Sequence, residues 1–114
     1  MPVDTFVMDP ADIVDVAQAD DVIRRIGEYK KEMRCKKAGV LLIQKRQFAG
    51  SYEIVSDKEA RELISRPVYD DENGRRTPEW GIKFYPREYF LALRERLSGN
   101  EEIELPEPER RKYR

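Results

Sequence analysis

A chain of 114 residues with 39 % charged and 39 % apolar side chains can fill one modest hydrophobic core, so a single domain with most of the chain folded is expected. The 22 Lys and Arg nearly balance the 23 Asp and Glu, leaving a net charge of -1, and histidine is absent, so no mechanism built on imidazole is encoded. The single Cys35 excludes an intrachain disulfide and, with an acidic N-terminus that lacks a secretory signal, predicts a reduced, cytoplasmic protein whose apolar runs are too short for a bilayer.

The charges are sorted into blocks along the chain. Residues 1–21 carry a net -6, 22–50 a net +7, 51–74 a net -4, 75–97 a net +3 and 98–114 a net -1. Such sorting builds a dipolar surface unless acidic and basic segments neutralise each other in the fold.

Asp9-Pro10 predicts a first helix, since Asp can cap an orphan N–H and Pro at the first helical position loses nothing. Ile13, Val14, Val16 and Ala17 would form its apolar side. Val22, Ile26, Tyr29 and Met33 follow at i, i+4, i+7 and i+11, one stripe of a second helix. At about 100° per residue the two sets fall on opposite faces, so a break is expected near Gln18 to Asp20, with Asp20 as the second cap and Gly39 as terminator after Lys36 and Lys37.

GVLLIQ (39–44) then reads as a buried strand, and the alternating SYEIVS (51–56) as its hairpin partner across KRQFAG. Ser56-Asp57-Lys58-Glu59 is a capping box opening a short helix that buries Ala60, Leu63 and Ile64 and stops at Arg66-Pro67. A second hairpin is expected around Asn73-Gly74, with Trp80, Ile82 and Phe84 inward on its second strand. Pro86 starts the last helix, whose inward residues are Tyr89 or Phe90, Leu93 and Leu97, and Ser98-Gly99-Asn100 ends it. The expected fold is α+β: a small antiparallel sheet of about four strands covered by helices, in the order α-α-β-β-α-β-β-α. Residues 1–100 form the single domain, and 101–114, polar and broken by two Pro, a mobile C-terminal tail.

Catalytic signatures are missing. Without histidine there is no Ser-His or Cys-His nucleophile, one Cys cannot found a structural zinc site, and neither Gly-rich nucleotide cradle occurs. The acidic run Asp70-Asp71-Glu72 fails as a calcium loop, because aligning Gly74 with the invariant Gly puts Tyr69 and Trp80 at the first and twelfth ligand positions. A solvated hairpin tip explains it. Glu79 and Lys83, four apart on one strand, do not match a metal-nuclease pair. No catalytic, metal or cofactor residue is therefore assigned.

The basic segment offers a binding surface instead. With the apolar stripe inward, Arg24, Lys31 and Arg34 point outward and Lys30 lies on the shoulder, although Glu28 and Glu32 sit at pairing distance for part of this charge. Lys45 and Arg46 would extend the ridge, and Arg75 and Arg76 would add a second basic patch on the hairpin. A solvated helix face is the plain alternative for all of them. The expected function is a small non-enzymatic protein-binding module, an adaptor, regulator or inhibitor of a larger protein or complex. The alternative is a nucleic-acid-binding protein using the same ridge, and the third reading is an enzyme of carboxylates and a divalent ion.

Overall fold

The computed structural model describes residues 7–45, 48–65 and 80–110, with the side chains of 44, 45, 48, 49 and 80 left aside. The architecture is the expected α+β: helices α1 (Val16–Met33), α2 (Asp57–Ser65) and α3 (Arg87–Leu97) cover an antiparallel sheet of β1 (Ala38–Lys45), β2 (Phe48–Ser56), β3 (Trp80–Pro86) and β4 (Glu109–Arg110). The strands lie in the order β2-β1-β3-β4, so β1 and β3 are central. From α1 to α3 the elements come as expected; the first strand of the second hairpin lies outside the described residues. Among those residues no helix is long and apolar enough to cross a membrane.

The N-terminal helix is the first correction. Only a 3-10 turn, Pro10–Asp12, forms there, capped as expected by the Asp9 carboxylate, which accepts from the Ala11 N–H at 2.9 Å. The backbone is extended at Ile13 and Asp15, and α1 starts five residues earlier than the predicted Asp20 cap would have it. The Asp15 carboxylate accepts from the Gln18 N–H at 2.8 Å, while the Gln18 side-chain carbonyl accepts from the Val14 N–H at 2.7 Å. This reciprocal cap, of a kind that contributes about 1 kcal/mol, moves the break from 18–20 to 13–15. The conflict between two apolar faces dissolves with it: Val14 is 70 % exposed, whereas Ala19, Val22, Ile23 and Ile26 make one buried stripe on α1.

The far end of α1 is the second correction. The helix stops at Met33, six residues before Gly39, through a left-handed Arg34 at φ 54, and the Cys35 N–H returns to the Lys30 carbonyl at 3.1 Å. Met33, expected inward, is 59 % exposed. Gly39 is needed elsewhere, inside β1 opposite Pro86 of β3, where an added Cβ would lie 2.8 Å from both the Phe84 Cζ and the Pro86 Cα.

The apolar run of β1 lacks alternation because both sheet faces are covered. Val40 belongs to a core that α1 and α3 close with Val22, Ile26, Phe90 and Leu93, joined by Ile54 and Tyr85 from the neighbouring strands. Leu41 turns to the other face, where Ile82, Phe84 and Val55 meet Ala60 of α2, with Leu63 and Ile64 packed against them. Successive strand residues point to opposite faces, so one strand feeds two cores. Ile82 and Phe84 are buried as expected; the Trp80 side chain, expected beside them, is outside the described residues. The Ser56 hydroxyl accepts from the Glu59 N–H at 3.1 Å, the cap anticipated for α2.

Residues 101–110, expected as part of a mobile tail, touch the domain at two places. Leu105 packs against the α1 and α3 core, and Glu109 and Arg110 pair with Phe84 and Lys83 of β3. Extended chain tolerates the two Pro.

Burial gives the core a readable alkaline limit. It is the leading cause that raises the phenols of Tyr29, Tyr52, Tyr85 and Tyr89 above their ordinary value, and at Tyr52 the Asp9 carboxylate, which accepts its hydroxyl proton, adds to the effect. In each case the neutral form is favoured by folding, so its contribution is complete below the unfolded value of about 10 and is lost as pH rises towards the raised folded value. Phenolate absorbance and near-ultraviolet dichroism should therefore change together above about pH 10. Ordinary ionisation of these four with the dichroism intact would contradict the packing described.

Candidate functional site

Four elements meet at one end of the sheet. Arg34 to Lys37 turn the chain from α1 into β1, and the register Ala38 opposite Ser56 and Gly39 opposite Pro86 brings the starts of α2 and α3 beside that turn. The Asp57 N–H donates to the Lys37 carbonyl at 2.9 Å and ties α2 to it. Between them lies a hollow of about 180 Å³ whose cationic lining is Lys30, Lys36, Lys37, Arg61 and Arg87. Asp57, Glu88 and Glu109 stand among these cations, and Ala38, Phe84 and Pro86 supply its apolar wall. A second hollow of about 410 Å³ shares Lys36, Lys37, Asp57 and Arg61 and adds Cys35, Ser56 and Lys58. The two form one basic basin, to which the described residues bring six Lys or Arg side chains.

The donors of this basin differ in how far they are already satisfied. Arg61 and Asp57 form an i,i+4 ion pair at 3.2 Å, but Arg61 is 64 % exposed, and such surface pairs contribute little. Arg87 is more enclosed: its Nε is buried without a hydrogen-bond partner among the described residues. Its Nη2 lies 3.8 Å from where a Cβ would stand on Gly27, an ordinary contact distance, so the guanidinium rests against α1. The N-cap of α3 is Pro86, which provides no side-chain hydrogen bond to the first N–H groups. The N-terminus of α2, by contrast, already has Ser56. Open N–H groups and the positive end of a helix dipole both favour an anion.

The expected ridge is divided rather than continuous. Arg24 is exposed but held by Asp21 at 2.7 Å and Glu28 at 2.8 Å, and these carboxylates, Asp21 first, raise its pKa. Lys31 on α1 and Arg34 at its C-cap are exposed, and among the described residues of the expected set only Lys30 lines the basin. Lys45 belongs to the opposite end of β1, about 23 Å of extended strand from Ala38. Its side chain, together with Arg46, Arg75 and Arg76, lies outside the described residues. Lys36, Lys37, Lys58, Arg61 and Arg87 did not stand out in the sequence as a site. Lys36 and Lys37 read as helix-terminal charges there, and only strand register shows that Arg87 shares their end of the sheet.

Chemically the basin can hold and orient an anion. Among the described residues no group of three or more Cys, Asp or Glu side chains is placed to hold a metal ion. No protein-family model matches the chain, and no curated protein or solved structure matches it significantly.

Proposed function

We propose that this protein is a non-enzymatic binding module that docks, through the basic basin, on an acidic segment of a larger protein and thereby acts as an adaptor, regulator or inhibitor. The observation that carries this reading is the convergence of cations from α1, α2, α3 and the entry of β1 on one concave surface. Charge focused in a hollow steers an oppositely charged partner and fixes its register. A protein segment fits better than a nucleic acid, because the chain carries a net -1 and carboxylates are interleaved among the cations. The single half-buried thiol of Cys35 supports a reducing, cytoplasmic setting.

The test is charge reversal at two exposed positions. Lys36→Glu with Lys37→Glu should change stability by less than about 0.5 kcal/mol, since neither side chain is in the core. Immobilised wild-type protein should retain a partner from nuclease-treated lysate at low salt, and the double variant should lose it, chiefly through slower association. Equal retention by both proteins would remove the basin as the docking surface. Retention that disappears on nuclease treatment would favour the nucleic-acid reading instead.

A further inference from the structure

We infer that the floor of the basin is a subsite for a phosphomonoester dianion, so that the docked segment carries a phosphorylated side chain. This deepens the binding reading above and rests on it.

Charge is the first argument. Among the described residues the smaller hollow is lined by five cationic side chains and three carboxylates, a surplus of two positive charges. A phosphoryl group carries about -1.5 to -2 near neutral pH, which matches that surplus, whereas a single carboxylate leaves half of it unanswered. Donors are the second. Arg87 Nε is buried without a partner among the described residues, and α3 begins at the same wall with no side-chain cap. A phosphoryl group offers three acceptor oxygens, enough to engage a guanidinium, lysine ammoniums and helix N–H groups together. Size is the third. A hollow of about 180 Å³ falls below the roughly 300 to 1,000 Å³ of small-molecule sites, yet holds several times the roughly 30 Å³ share of one water. It has room for one charged group on a larger partner.

The experiment uses the full chain, labelled with nitrogen-15 and titrated with inorganic phosphate, with N-acetyl-phosphoserine methylamide, and with chloride at matched ionic strength. Both phosphates should give saturable amide shifts centred on Lys36 to Ala38 and Arg87 to Tyr89, and chloride none. Lys36→Gln with Lys37→Gln should weaken phosphate binding by about tenfold through loss of two charge-assisted contacts, and Arg87→Gln similarly. Should Arg87→Gln fail to fold, the double Gln variant at exposed positions still decides. Shifts reproduced by chloride, or an affinity unchanged in the double Gln variant, would overturn the subsite. In lysate, phosphatase treatment should abolish capture of the partner. Capture surviving that treatment overturns the subsite and leaves the binding module standing; saturable phosphate binding with no basin-dependent partner does the reverse. A single-stranded RNA oligonucleotide that displaces the phosphoserine probe at equal concentration would overturn the protein segment as occupant.

Discussion

A Gly39→Ala chain is expected to lose about 3 kcal/mol of stability and to melt roughly 10 to 20 °C lower than the wild type. The new methyl would meet the Tyr85 carbonyl oxygen and the Pro86 Cα of β3, which are backbone atoms, as well as the buried Phe84 ring. A flexible side chain could swing away; paired backbone cannot, so β1 and β3 must separate or twist. The loss should reach the basin as well. Gly39 is paired with Pro86, and moving that pair moves Arg87 relative to Lys36 and Lys37. Calorimetry and the phosphate titration should therefore report together. A melting temperature unchanged to within a few degrees would show that the two strands do not approach as closely as described.

The second large effect is expected at Phe90. Its side chain is fully buried between α1, α3 and the sheet, and its ring lies 5.4 Å from that of Tyr89. Phe90→Ala should cost about 3 to 5 kcal/mol, comparable with the whole stability of about 5 kcal/mol at the lower end for single domains. The adjacent Leu91 is 40 % exposed, and Leu91→Ala should change stability by less than about 0.5 kcal/mol. Denaturant unfolding of the pair reads the rotation of α3 directly: equal losses would mean that α3 packs by a different face.

The sequence alone determined those features whose cause is local. The Ser56 cap of α2, the end of α3 at Ser98-Gly99, the stripe Val22, Ile26 and the inward pair Ile82 and Phe84 each depend on residues a few positions apart, and each stands in the fold as the spacing predicts. The cap of α1 was also local, but Asp15-x-x-Gln18 was obscured by apolar neighbours that look like a helical face and are partly exposed. Tertiary structure decided the rest. Whether Gly39 ends a helix or admits a neighbouring strand depends on β3, more than forty residues away, and whether residues 101–110 dock depends on the free edge of that same strand. The basin belongs wholly to this second kind. Lys30, Lys36, Arg61 and Arg87 have no shared spacing in the chain; they meet because antiparallel register sets the ends of β2 and β3 beside the start of β1, so that two helices begin where a third has ended. Periodicity reports which face of an element is buried, whereas the convergence of charges from separate elements is fixed by pairing energies between strands, which leave no periodic trace in any one of them.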